Sequence, residues 1–454
     1  MTGARRQSFI RGFEMLNIGL AKEIITPPFG AGLAGYFNKR PNRGVYDDVC
    51  VRAMAIEQDG KFTGILSFDL CSLSNSFIEE IRVELLAAGI DFANDVIIAA
   101  THTHTGPNLR QGTKSNAPEA YGVKEGVEGA VRAMKRAVRS MAPAEVFYAE
   151  HDDNPCAYVR RYLMKSGAVV TNPSRCNPDI VGPETDFDKH IRVLAVKQYG
   201  RISAILVNLA NHCDTVGGDL VSADWPGRME AEIQYELKED IPVFQLTDAS
   251  GNINHFDVHQ KIDQTNYGEA CRIGRIYGKI VVGLLDKLEP LALGPMEISH
   301  AEMEIPHRKV TPEEYAEAQK YLEDTKDAKL SDGDLTSEGL ANGEVTVMRY
   351  FKKRVIDCAE KSTPSHKSSI TRVSFGKELA FVTLPGEPFN GIAEAIRKAS
   401  PYKKTIIVEL AQSASGYVPM HDCFDRGGYE VQPGVNSVAP NASDVIIEAS
   451  IKNL

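Results

Sequence analysis

Short apolar runs recur along the chain: "VRAMAIEQ" (51–58), "TGILSFDL" (63–70), "DVIIAAT" (95–101), "IRVLAVK" (191–197), "SAILVNLA" (203–210), "PVFQLT" (242–247), "LAFVTLP" (379–385) and "TIIVELA" (405–411). Val, Ile and Phe dominate them. Several are continuous rather than alternating, which predicts strands covered on both faces. "QYGRI" joins the runs at 191–197 and 203–210 and predicts a hairpin. Apolar spacing of three and four predicts helices over 121–140, 226–238 and 267–288, with Pro226 near a helix start. Thr311 predicts an N-cap, and a further helix is expected over 388–399. The tail "KDAKLSDGDLTSEGLANGEV" is polar and Gly-rich, so a surface insertion or lid is expected around 311–345. The sum is an α/β fold, a large mixed sheet flanked by helices. A short N-terminal extension (1–15) precedes a single domain (16–454).

The chain has 454 residues, 43% of them apolar and 25% charged, enough for a core that needs no disulfide to hold it. A net charge of −10 argues against nucleic acid as a partner, because phosphate binding needs a basic face. No apolar run approaches the roughly 18 residues of a membrane span, so no stable membrane association is expected. The opening "MTGARRQSFIRGFEML" carries positive charge without the apolar stretch of a secretion signal. Eight scattered cysteines form neither a zinc ribbon nor a disulfide framework. Both features lead to the expectation of a cytoplasmic protein.

Polar clusters close the apolar runs. His102 and His104 follow 95–101, His212 and Asp214 follow 203–210, and Asp248, Asn252, Asn254 and His255 follow 242–247. Glu387 follows 379–385 and Tyr417 lies beyond 405–411. Sites in open α/β sheets form beyond the carboxyl ends of strands, so these clusters are expected to share one crevice there. Two imidazoles and a carboxylate suit catalytic zinc, which keeps a position open for water. The residues alone leave the bland alternative standing: strand-end histidines, a Glu387 that caps the following helix, and a Tyr417 that packs.

The same segments resemble the N-terminal catalytic domain of the neutral, non-lysosomal ceramidases, a family of zinc amidases. The resemblance rests on "IGLAKEIITPPFGAGLAGY" (18–36), "VYDDVCVRAMAIE" (45–57), "LSFDL" (66–70), "ATHTHTGP" (100–107), "NLANHCDT" (208–215), "SADWPG" (222–227), "LPGEPF" (384–389) and "SGYVPMHDCFDRGGYE" (415–430), all in the family's order. It implies Zn2+ held by His102, His212, Glu387 and Tyr417. It implies that His104 faces the attacking water or the substrate carbonyl, that Tyr429 donates to the developing oxyanion, and that either Arg160 or Arg161 is an active-site arginine. Where the family carries a serine, "SGNINHF" (250–256) places Asn254, which cannot be a nucleophile but can orient water or an oxyanion. The family's C-terminal immunoglobulin-like domain is expected to be absent.

The expected function is zinc-dependent hydrolysis of an amide (C–N) bond in a soluble small-molecule substrate. His104 or Asp214 takes the proton of the attacking water. Asp69 or Asp224 is expected to fix the histidine tautomers. Arg160, Arg161 and Lys165 form a basic cluster suited either to an anionic substrate group or to a solvated turn. The alternatives are hydrolysis of an ester, lactone or glycosidic bond, and a non-catalytic descendant that binds a ligand in the same crevice. The sequence specifies no oligomeric state.

Overall fold

The computed structural model describes residues 16–109, 121–331, 335–361 and 363–454. The N-terminal extension expected over 1–15 lies outside the described residues. Three mixed sheets organise the principal elements. The first contains β1 (Leu16–Ile24), β2 (Cys50–Gln58), β3 (Lys61–Phe68) and β4 (Val96–Ala100), in the order β4-β3-β2-β1, with helices α1 (Asn75–Ala87) and α2 (Tyr121–Arg139). The second contains β5 (Glu145–His151), β6 (Ile191–Gln198), β7 (Arg201–Leu209) and β8 (Val243–Thr247), in the order β8-β7-β6-β5, with α3 (Asp224–Leu237) and α4 (Tyr267–Leu284). The third contains β9 (Met296–Pro306), β10 (Ser365–Phe375), β11 (Leu379–Thr383) and β12 (Lys404–Val408), in chain order. α5 (Pro312–Asp324), α6 (Val345–Lys361), α7 (Asn390–Ala399) and α8 (Ala442–Lys452) accompany it.

Each sheet contains one parallel pair: β3 with β4, β7 with β8, and β11 with β12. A parallel pair needs a crossover, and α1, α3 and α7 supply the three. Every residue of β4, β8 and β11 is buried, which accounts for their unbroken apolar runs. One core lies among the three sheets and takes Ile97, Phe244, Leu246, Phe381 and Ile406. A second face of each sheet is covered by helices. Phe77 of α1 and Ala133 of α2 pack on the first, Trp225 of α3 and Tyr277 of α4 on the second, and Ile396 of α7 and Ile446 of α8 on the third.

The expected α/β class with helix-flanked mixed sheet is present, divided among three sheets rather than drawn as one. The reason lies where they meet. Single backbone hydrogen bonds join the carboxyl ends: Glu409 to Thr247 (2.9 Å), Gln412 to Ile98 (3.0 Å) and Ala100 to Leu410 (3.2 Å). Leu410 (φ 51°) and Gln412 (φ 65°) bend the chain out of the extended region, so no ladder continues there. The hairpin of β6 and β7 forms as predicted. Thr311 caps α5 in a full capping box. α3 starts at Asp224, ahead of Pro226. The polar insertion runs past 345, continuing through the short helix Ser337–Ala341 into α6, which ends at Lys361.

Glu409 is buried at this junction, where Ser250 donates both its N–H (2.9 Å) and its hydroxyl to the carboxyl group. Burial pushes the carboxyl up to about 8 against those hydrogen bonds. The folded chain therefore holds a proton that the unfolded chain releases near the ordinary glutamate value of about 4.3. This contribution to stability is complete below that value and is lost as pH rises through about 8. Glu409→Gln is expected to flatten the fall in Tm between about pH 5 and 8, as read by thermal scans in matched buffers. An unchanged slope would show that Glu409 does not carry it.

Candidate metal centre

His102 follows the end of β4. Its backbone takes φ 79°, a region that residues with a side chain rarely enter, so the surrounding structure holds it there. Leu70 accepts its N–H (2.9 Å), and the Cys71 carbonyl lies 2.5 Å from ring Nδ1. A carbonyl only accepts, so Nδ1 carries the hydrogen and Nε2 presents a lone pair. His212 follows β7, and the indole N–H of Trp225 donates to its carbonyl (2.8 Å). Glu387 follows β11. It pairs directly with Tyr417 on a two-residue parallel ladder, which puts both side chains on one face. Gly251 passes so close behind that a Cβ there would lie 2.3 Å from the Glu387 carbonyl oxygen.

These three units bring one donor each to a common point. His102 Nε2 and His212 Nε2 both lie 3.4 Å from Glu387 Oε2. The ligand atoms of the three residues fall within 4.8 Å of one another. Glu387 Oε2 is buried with no hydrogen-bond partner. An orphaned carboxylate oxygen facing two imidazole nitrogens is costly without a cation between them, so the residues present fit a divalent metal. The rings are 2% exposed and Glu387 14%, which leaves access from the carboxylate side.

Burial disfavours charge on His102, but the adjacent Glu387 carboxylate overrides it and raises the ring's pKa well above its usual value. Burial likewise opposes the Glu387 charge, and His102 overrides it, holding the carboxyl well below the usual range. Burial and the nearby Arg160 push His212 down to about 3, so this ring stays neutral. Burial raises both Tyr417 and Tyr429, so each remains a protonated phenol at neutral pH.

His104 borders the centre. Its Nε2 lies 3.3 Å from His102 Nε2 and its Nδ1 3.2 Å from Asp214 Oδ1. Tyr36 donates its hydroxyl to the same Asp214 oxygen (2.7 Å). Burial works against a charged His104, and Asp214 outweighs it, raising the ring's pKa. Arg160 and Arg161, which sequence left undistinguished, point different ways. Arg160 Nη1 reaches His212 Nε2 (3.2 Å), and its guanidinium lies over the Tyr417 ring (4.8 Å). Arg161 is bound by Glu184 (2.6 Å) and donates to the Gly427 carbonyl (2.8 Å), away from the histidines. Glu430, fully buried, pairs with both arginines (2.8 and 2.7 Å). Tyr429 stands 6.1 Å from the Tyr417 ring, and Phe351 of α6 packs on its other side (6.2 Å). The insertion thus reaches the edge of the site.

Comparisons with known proteins bear on the fold. No protein-family model matches the chain. Neutral ceramidase of Pseudomonas aeruginosa is 24% identical over 299 residues, a match covering 59% of this chain and 43% of that protein. The crystal structure of neutral ceramidase from Pseudomonas aeruginosa superposes with a TM-score of 0.71 at 17% identity, covering 97% of this chain and 74% of that one. A ceramidase complexed with C2 gives a TM-score of 0.68 at 18% identity, covering 97% and 75%. The chain has the neutral ceramidase fold. The neutral ceramidase resemblance noted in the sequence motifs therefore extends over nearly all of its tertiary structure, whereas the curated relative is matched over less than half its length.

Several expected roles change. Asp69 pairs with buried Arg52 (3.0 Å) and accepts the Cys50 N–H, while Asp224 accepts from Thr215, Val216 and Trp225. Neither has a hydrogen bond to His102 or His212; the Cys71 carbonyl orients His102 instead. Glu387 makes no cap to α7, whose N-cap Phe389 has no side-chain bond. Asn254 donates to Asn172 (2.8 Å) and accepts from Phe256 (3.1 Å), which spends its amide on a turn beside Arg160 rather than on the histidines. Lys165 lies exposed opposite Asp179 (3.6 Å), apart from the buried arginines. Sequence reasoning missed Tyr36, Glu430, Phe351 and Cys71. Only the last two offered a signal, Phe351 on the apolar face of α6 and Cys71 just beyond β3.

Gly251→Ala is expected to destabilise the fold by about 1–3 kcal/mol, the usual cost of overpacking, and to weaken uptake of added divalent metal by displacing Glu387. Urea unfolding and metal analysis of the purified variant check both. A variant with wild-type midpoint and metal content would show that this close approach does not position the carboxylate.

Proposed function

We propose that the chain is a zinc-dependent hydrolase that cleaves the amide (C–N) bond of a small N-acyl substrate with water. The observation that carries the proposal is the meeting of His102 Nε2, His212 Nε2 and Glu387 Oε2, one from each parallel pair of strands, beside the buried Tyr417 and the half-buried Tyr429. The similarity to an enzyme named for cleaving ceramide, an N-acyl lipid, supports the choice of an amide.

Zinc held by His102, His212, Glu387 and Tyr417 would polarise the substrate carbonyl and lower the pKa of a bound water from about 15.7 to about 7. His104 sits where it can take the proton of the attacking water and return it to the leaving nitrogen. Asp214, itself held by Tyr36, orients His104 through Nδ1 and stabilises the charge it acquires. Tyr429, a phenol kept protonated by burial, donates to the oxygen that becomes negative. Arg160 adds positive charge at the same wall, and Glu430 fixes its direction. Asn254 offers no nucleophile, so water attacks the carbonyl without an acyl intermediate at this position.

His102→Ala is expected to lose most bound zinc while keeping the wild-type circular dichroism spectrum. Tyr429→Phe should retain zinc and lower kcat by about 10²–10³-fold, the cost of losing one oxyanion donor. The panel is a set of N-acyl amides of short and long chain, with matched esters, assayed before and after chelation. Full zinc in His102→Ala would overturn the ligand set. Turnover of esters alone would replace amide hydrolysis with ester hydrolysis, and activity confined to long chains would exclude a soluble substrate.

A further inference from the structure

The His102 ring belongs to two clusters. One is the centre with His212 and Glu387. The other joins it to Cys71 and His104, whose ligand atoms also lie within 4.8 Å of each other and of His102. Cys71 follows β3 closely. Its carbonyl lies 2.5 Å from His102 Nδ1, and its sulfur lies within 4.8 Å of a ring nitrogen of His102 and of His104. His104 Nε2 is 3.3 Å from His102 Nε2, so the second cluster already has two of its nitrogens in contact. Cys71 is a free cysteine in a half-buried position.

We propose that Cys71, His102 and His104 form a second, overlapping seat for a thiophilic divalent cation such as Cd2+. The proposal shares His102 with the catalytic reading above but depends on neither His212 nor Glu387. Two imidazoles and a carboxylate suit zinc; exchanging the carboxylate for a thiolate shifts preference toward softer ions. On binding, the sulfur–hydrogen bond breaks, a sulfur–metal bond forms and the proton leaves to solvent, with no change of oxidation state. Because one ring serves both seats, a soft ion competes with zinc for His102. It also engages the lone pair of His104 that proton transfer requires, so the seat is inhibitory when filled.

The test is a titration of the metal-stripped full chain with CdCl2, following the near-ultraviolet thiolate-to-cadmium absorption, alongside a zinc titration by calorimetry. One equivalent of Cd2+ should produce the band in the wild type and in His212→Ala. Cys71→Ser, and Cys71→Ala as a second variant, should lose the band and still take up one equivalent of Zn2+. No band at one equivalent in the wild type, or a band of undiminished strength in both Cys71 variants, overturns the proposal, the latter by assigning the sulfur to Cys176, Cys271 or Cys358. If the variants lose the band and bind no zinc either, while His212→Ala keeps the band, the overlapping seat stands and the His102–His212–Glu387 centre falls.

Discussion

Two imidazole nitrogens and an ionised carboxylate meet at one buried point that excludes the water that would solvate them. That constraint governs the molecule. It is tolerable where a cation sits among the donors, and it has to be held in place by parts of the chain with no reason of their own to converge. The strained backbone at His102, the close approach of Gly251 behind Glu387 and the carbonyl of Cys71 on the ring's far nitrogen all serve that placement. Backbone strain kept at a site of this kind is offset by the packing around it.

The architecture explains how three donors come together. Each sheet carries one parallel pair, and each pair delivers one of the three residues from the carboxyl end of one of its strands. The three carboxyl ends are tied by single backbone hydrogen bonds, and their shared core lies directly below. Tyr417 joins through register: its ladder partner is Glu387 itself. The rule that sites lie beyond the carboxyl ends of parallel strands therefore operates three times around one axis of convergence.

Charge is balanced in the walls as well as at the centre. Arg160 and Arg161 are buried, and Glu430 between them with Glu184 beyond neutralises the pair. A buried guanidinium without such partners would be far too costly to keep. The result is one arginine turned toward the histidines and one held by Glu184 and the Gly427 carbonyl. Tyr36 donates to the same Asp214 oxygen that faces His104, so the acid beside that ring has a fixed position of its own.

The strands that form continuous apolar runs, the helices α2, α3, α4, α5 and α7, the fold class and the residue types at the site were legible in the sequence, whereas β5, β9, β10, α1, α6 and α8 were not. Continuous apolar runs, the "QYGRI" turn and the Thr311 box are local signals, carried by propensity, burial pattern and capping that need no distant partner. The order of motifs made His102, His212, Glu387 and Tyr417 legible as a set, but only as positions along a chain. Tertiary structure decided the division into three sheets, which arginine faces the rings, which groups orient the histidines, and that Asn254 is spent on a turn. Tyr36, Cys71, Phe351 and Glu430 lie 33 to 326 residues from His104 in sequence; their roles depend on distances and directions between separate elements, which no local pattern encodes.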